Sequence, residues 1–177
     1  MINNLLKDFL TAWPNSKAEL DKTMQSNKKW NTEYRERNNL RTKDPEYKKN
    51  KKSLKISKNN TAALLLKKLP DELFSRAALL ENEYKIEGSV GKGEISEIPW
   101  ICVFDKVITE SAQTGFYIVY LFRADLSGFY ISLNQGWTQY EKAFKPKSQA
   151  KLEIEKAAQK LKKTLKTVEG FTFKKLI

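Results

Sequence analysis

The spacing of apolar positions predicts helices near both ends of the chain. The N-terminal helix is expected to end at Pro14. Short helices are predicted at 61–69 and from Pro70, where Asp71 follows in the first turn and favours the helix dipole. A long amphipathic helix is predicted over 148–168 and is expected to cover one sheet face. Its apolar stripe consists of Ile154, Ala158, Leu161, Leu165 and Val168, with lysines opposite.

The pattern between these helices predicts strands. YKIEGSV (84–90) is short and strand-like, and stronger strand signals follow at 99–105, 115–123 and 128–134. The last two are separated by a short turn with a glycine, which favours an antiparallel hairpin. We therefore predict an α+β fold in which a central mixed or mostly antiparallel sheet is flanked by N-terminal helices and the long C-terminal helix. At 177 residues the chain fits one domain, 1–177. The closing FTF is typical of a strand cut short, so we expect a longer protein.

Charge is concentrated on both sides of the predicted sheet. The net charge is +12; residues 28–58 hold twelve Lys and Arg against four Asp and Glu, residues 138–177 hold eleven against four, and residues 88–137 hold three against five. Basic flanks around a near-neutral aromatic centre suit phosphate contacts around a base-reading site, although lysines can also serve solubility alone. Segment 17–60 is expected to be partly mobile. The candidate phosphate contacts are Lys48, Lys49, Lys51, Lys52 and Arg123.

Composition excludes several kinds of chemistry. The chain has one cysteine, Cys102, and no histidine, which excludes a Cys–His nucleophile and the usual Cys/His zinc sites. Cys102 lies in an apolar run and is expected to be a small buried hydrophobe. No Walker-type GxxxxGK[ST] is present. We expect no catalytic residue, metal or cofactor in this chain. No apolar stretch has the length of a signal peptide or membrane span, so a cytoplasmic protein with no membrane partner is expected.

The stretch 91–136 carries the most specific motifs. GKGEISEIPW leads into ICVFD, and TGFYIVYLF and GFYISLNQG follow. This order of glycine loop, Ile-Pro-Trp turn and Gly-φ-Tyr strand resembles the N-terminal DNA-binding domain of McrB, the recognition subunit of modification-dependent McrBC restriction systems. The resemblance implies binding to double-stranded DNA and flipping of a modified cytosine out of the duplex. It also implies a fused GTP-dependent AAA+ module and a separate nuclease subunit as partners.

The resemblance assigns a base pocket to three residues. Trp100 corresponds to the stacking wall, while Tyr117 and Leu121 correspond to a Tyr and a Leu four residues apart on the following strand. Strand alternation places positions 117 and 121 on one face. Aromatic stacking at about 1–3 kcal/mol per base can largely offset the few kcal/mol that unstacking costs.

The resemblance also assigns the groove or wedge loop to Gly91, Lys92 and Gly93. Lys92 departs from the pattern, because the family places an aromatic wedge between these glycines. A lysine can meet phosphates or base edges but cannot stack as a ring does. Direct groove reading of an unmodified sequence therefore stays open.

Two other classes of function also stay open. Pro70-Asp71 with Glu83-Tyr84-Lys85 holds the residue types of a metal-dependent nuclease, although Asp71 is predicted on a helix. The basic helix at 148–168 is compatible with a protein-interaction or membrane-surface module.

Overall fold

Helix α1 is the longest element of the computed structural model, which describes residues 2–91 and 93–164. It spans Ile2–Arg37, so the prediction that the N-terminal helix ends at Pro14 is wrong. Pro14 lies on the exposed side of the helix, where water can bond to the carbonyl that the missing N–H leaves free. Phe9, Trp13 and Leu20 are buried on the other side. Because one apolar stripe continues past the proline, both parts of the helix pack on the same core.

A second group of helices precedes the sheet. Helix α2 spans Pro45–Asn50, a 3₁₀ turn spans Ile56–Lys58, and α3 spans Asn60–Ala63, where the Asn59 side chain caps the Ala62 N–H. A π-helical turn, Leu64–Lys68, connects α3 directly to α4, Leu69–Arg76. The two predicted helices thus form one continuous helical segment with the π-helical turn in its middle. Pro70 lies in the first turn of α4, as predicted.

The sheet is a four-stranded antiparallel meander. Strands β1 (Tyr84–Ser89), β2 (Trp100–Asp105), β3 (Phe116–Phe122) and β4 (Phe129–Gln135) pair in chain order. The predicted strands and the predicted hairpin of β3 and β4 are therefore confirmed, and so is the α+β class. The β1–β2 loop and the β3–β4 turn lie at the same end of the sheet, because neighbouring strands run in opposite directions. We call this the glycine-loop end.

Each sheet face has its own core. On the helix face, Ile101 and Phe122 pack with Phe9, Trp13 and Leu65. The opposite face, the loop face, carries a smaller cluster of Cys102, Phe104, Tyr117 and Val119, against which Ala112 of the 106–115 loop packs. Strand alternation separates the two sets.

Helix α6 (Lys147–Thr164) follows the short helix α5 (Trp137–Ala143). It flanks the sheet at the far end of β4, where the Gln135 side chain donates to the Ile154 carbonyl at 2.9 Å. The predicted flanking C-terminal helix is thus confirmed, and no described α6 side chain belongs to either core cluster. Ala158 is exposed and Ala157 takes the predicted stripe position. Leu165, Val168 and the closing FTF lie outside the described residues.

Cys102 is a core residue, as predicted. Its side chain is buried, and burial, with a smaller contribution from Glu87, raises the pKa of the thiol to about 12. The thiol therefore stays protonated at neutral pH and is a poor nucleophile. In the described part of the chain, no helix combines the length and apolar character needed to cross a bilayer.

Two glycines of the β1–β2 loop give a matched test of this backbone. Gly91 has φ +111°, and a Cβ there would lie 2.0 Å from the Glu94 carbonyl oxygen; Gly93 has φ +88° with open space around it. We expect Gly93→Ala to cost about 1–2 kcal/mol of stability from backbone strain alone. Gly91→Ala is expected to cost about 1–3 kcal/mol more, because the carbonyl must also move. Urea unfolding of both variants checks this, and equal losses would contradict the described loop conformation.

Candidate nucleic-acid interface

The β1–β2 loop, residues 90–99, is anchored on both sides of its glycines. Val90 and Ile95 are buried in the helix-face core, and the Ser96 N–H donates to the Val90 carbonyl at 2.8 Å. Glu97 forms a 2.8 Å ion pair with Lys17 of α1. Gly93 and Glu94 at the tip are exposed, as are Glu97 and Ile98 further along the loop. Lys92, the predicted wedge position, lies outside the described residues.

The loop tip faces a groove that brings two of the predicted sets together. The groove has a volume of about 360 Å³ and lies between the second half of α1, the segment after α2 and the loop. Lys52 and Gly93 both line it. Lys48 and Lys49 on α2, and Lys51 after it, are exposed nearby in the chain.

Arg123 lies apart from this groove but at the same end of the sheet. It begins the β3–β4 turn, where its guanidinium bonds to the Asp125 carboxylate at 2.9 and 3.1 Å. The N–H of its neighbour Phe122 donates to the Pro99 carbonyl, which joins this turn to the start of β2. Arg123 can therefore contact DNA only if the glycine-loop end of the sheet faces the DNA. Asp125 already compensates part of its charge.

The predicted pocket residues share the loop face, but they do not share one row. Trp100 and Leu121 are directly opposite each other in the β2–β3 pairing, and Leu121 is opposite Tyr130 in the β3–β4 pairing. We call Trp100, Leu121 and Tyr130 the Trp100 row. Tyr117 lies four residues from Leu121 along β3, a distance of about 13 Å. The row lies at the glycine-loop end, whereas Tyr117 lies toward the 106–115 loop.

Tyr117 is held as a core side chain. It is 8% exposed, its ring packs against Phe104, and its hydroxyl donates to the Ala112 carbonyl at 3.1 Å. Asn134 donates to the same hydroxyl at 3.4 Å. Burial, followed by the proximity of Cys102, raises the pKa of the tyrosine. Within the described structure Tyr117 is therefore a core residue beside the 106–115 loop, not an open wall of the Trp100 row.

Tyr130 is a candidate that the sequence argument missed. Its side chain is 55% exposed and completes the Trp100 row on the outer strand. The signal was present, because alternation within GFYISLN puts Tyr130 on the face opposite to Phe129, whose ring packs in the helix-face core. Lys28 and Arg35, which line the groove, were missed because α1 was expected to end at Pro14.

The nuclease pattern is not assembled. Asp71 lies in the first turn of α4, while Lys85 on β1 is engaged by the Glu87 carboxylate at 2.7 Å and the Glu110 carbonyl at 3.0 Å. Over residues 2–91 and 93–164, no group of three acidic or other metal-ligating side chains is close enough to hold a metal ion.

Comparison with known proteins gives one match. A family model described as MrcB-like, N-terminal domain matches residues 44–177. The searches of curated proteins and of solved structures found no significant match. The matched region begins just before α2 and includes the sheet and α6, whereas all of α1 precedes it.

The two tyrosines of the loop face differ in a way that stability measurements can detect. Tyr117→Ala is expected to cost about 3–5 kcal/mol, because it empties a filled core position. Tyr130→Ala is expected to stay within about 0.5 kcal/mol of wild type, because the side chain is mostly in solvent. Thermal unfolding of both variants measures the difference. A large loss for Tyr130→Ala would mean that the Trp100 row is part of the core.

Proposed function

The chain belongs to the MrcB-like N-terminal domain family and is a McrB-type DNA-binding module; from this premise we propose that it reads a modified cytosine in duplex DNA by base flipping. In this proposal it is the specificity module of a McrBC-type restriction system. The observation that carries the proposal is the composition of the glycine-loop end. The surfaces around this end carry an exposed loop tip and a partly exposed row with two aromatic side chains. They also carry several cations that form no ion pair among the described residues.

The Trp100 row supplies the surface on which an extruded base can stack. Trp100 and Leu121 are partly buried against the loop-face core, so their positions are fixed before DNA arrives, while Tyr130 is mostly exposed. Extrusion costs a few kcal/mol, and stacking returns about 1–3 kcal/mol per base. The row therefore offers an energy of the size that flipping requires.

The chemistry of the row favours a base that carries an apolar substituent. Leu121 lies between two aromatic side chains across the strands. A 5-methyl group placed against it would bury apolar surface and leave no polar atom unpaired. Tyr117 and Asn134 lie opposite each other farther along the same face and are hydrogen-bonded to each other at 3.4 Å, so their polar groups already have partners.

Neither motor nor nuclease chemistry is assigned to this chain. A McrB-type module is a recognition part, so the proposal includes an AAA+ GTPase fused to it and a separate nuclease subunit as partners. Binding by the module would then mark the site at which the other parts act.

Lys92 favours one alternative. A lysine at the predicted wedge position can hydrogen-bond to base edges in a groove, which would read an unmodified sequence without extrusion. A comparison of modified and unmodified DNA separates the two modes.

A panel of otherwise identical duplexes tests the proposal. They carry cytosine, 5-methylcytosine, 5-hydroxymethylcytosine, 4-methylcytosine or 6-methyladenine at one position, and binding is measured by fluorescence anisotropy. We expect one modified cytosine to bind best. Trp100→Ala should weaken that complex by about 1–3 kcal/mol and leave unmodified DNA nearly unaffected, because stacking acts only on the extruded base. Phe144→Ala, an aromatic residue after α5 at the opposite end of the sheet, serves as the control. Equal binding to all duplexes would contradict modified-base reading.

Lys92 provides a separate test of extrusion. Lys92→Ala should weaken binding, because a groove contact is lost, and Lys92→Tyr should preserve or strengthen binding to the preferred duplex by filling the vacated stack. A 2-aminopurine next to the target base should brighten when the base leaves the helix. Saturated binding without brightening, in wild type and in Lys92→Tyr, would exclude base flipping and support groove reading.

A further inference from the structure

Helix α1 changes character along a single stripe. Its first half buries Phe9, Trp13 and Leu20 in the helix-face core. At helical spacing beyond Met24, the same side of the helix carries Asn27, Asn31 and Arg35, with Lys28 beside them. The second half of α1 therefore presents polar and basic groups at the position where its first half presents core side chains.

A two-way hydrogen bond fixes the other wall of the groove onto this stripe. The Asn31 side-chain amide donates to the Lys52 carbonyl at 2.8 Å, and its oxygen accepts from the Lys52 N–H at 2.7 Å. The Lys52 ammonium lies 4.6 Å from the centre of the Trp30 ring, which itself stacks on Tyr34. Lys52 is thus placed by its backbone and by a cation–π contact. Among the described residues its ammonium forms no ion pair.

The groove between these walls is predominantly basic. Lys28, Arg35 and Lys52 line it, against one carboxylate, Glu94. Among the described residues, neither the Lys28 nor the Arg35 side chain forms an ion pair. Unpaired cations held along one groove are suited to a polyanion that can contact several of them at once.

The dimensions match a nucleic-acid strand. Lys28 and Arg35 are seven residues apart on α1, which corresponds to about 10 Å along the helix. Two cations at this spacing can contact separate phosphates of one strand. Gly93 lies at the groove rim, where it has no side chain and leaves open space for a close approach of the strand.

We propose that the groove between α1, Lys52 and the glycine loop holds the sugar–phosphate backbone of one DNA strand, with Lys28, Arg35 and Lys52 as the phosphate contacts. The inference rests on the proposed DNA-binding function and assigns a part of it to α1, which lies entirely outside the region that the family model matches. A strand held here is adjacent to the loop tip. Asn31 is a positioning residue, because it acts by holding Lys52 in place.

The test is the salt dependence of binding to the preferred duplex and to its unmodified counterpart. Lys28→Ala, Arg35→Gln and Lys52→Ala are compared with Lys22→Ala, an exposed lysine on the opposite side of α1. Each groove variant should lower the magnitude of the log–log salt slope by about one and weaken binding at low salt about 3- to 10-fold, equally for modified and unmodified DNA. Lys22→Ala should keep the wild-type slope and affinity. Circular dichroism melting confirms that each variant is folded.

Asn31→Ala distinguishes positioning from contact. The substitution removes no charge, but it releases Lys52 from its hydrogen bonds. We therefore expect Asn31→Ala to weaken binding when Lys52 is present. Combined with Lys52→Ala, it should cause no further loss. Independent, additive losses would contradict the positioning role.

The outcomes separate the inference from the function on which it rests. If wild type binds DNA and the groove variants keep its slope and affinity, the strand lies elsewhere and the groove proposal is overturned, while the DNA-binding function stands. If wild type binds none of the duplexes, the proposed function itself fails. If the groove variants lose binding to vesicles of anionic lipid while their DNA binding is unchanged, the groove is a membrane contact and the proposal is also overturned.

Discussion

The packing of α1 onto the sheet through one aromatic cluster determines where every candidate binding element lies. The Phe9 ring lies 5.4 Å from Trp13 and 5.2 Å from Phe122, and Phe122 lies 5.7 Å from Phe129. This cluster joins the first half of α1 to the glycine-loop end of the sheet, where β3 ends and β4 begins. Contacts of this kind exceed simple area burial by about 0.5–1.5 kcal/mol per aromatic pair. Since α1 is a single helix, fixing its first half also fixes the direction of its second half and places the basic stripe beside the loop.

The sequence predicted the elements that have a clear period. The strands, the hairpin and the buried Cys102 follow from alternation and apolar runs, and alternation also places Tyr117 and Leu121 on one face. Alternation cannot predict which residues of neighbouring strands lie side by side in the Trp100 row. Trp100, Leu121 and Tyr130 are neighbours only because of the pairing register, which depends on the lengths of the loop and turn between the strands. The depth of Tyr117 could not be predicted either, because it depends on the path of the 106–115 loop that covers it.

The errors in the helical regions share one physical cause. A proline was taken as a helix end, and a uniform stripe was assumed for α6, because local signals were considered without their surroundings. Pro14 is tolerated because it faces solvent while the apolar stripe on the other side continues. Likewise, the π-helical turn at Leu64–Lys68 has no sequence signal of its own. It brings the Leu65 backbone so close to β1 that a Cβ at Gly88 would lie 2.0 Å from the Leu65 carbonyl oxygen, and only the tertiary structure reveals this approach.

The division of the loop face into a covered part and an open row separates stability from recognition. The covered part, with Phe104, Tyr117 and Val119, is sealed by the 106–115 loop and its hydrogen bond to Tyr117. A base that stacks on Trp100 and Tyr130 meets side chains beyond that cover, so it does not have to displace core groups to bind. The proposed phosphate groove lies on the other side of the same sheet end, because the helix face carries α1. In the proposed binding mode, a strand would pass from this groove around the loop tip, and an extruded nucleotide would stack on the row. Backbone contacts and base contacts would then come from opposite faces of one sheet end, so each can be altered by substitution without the other.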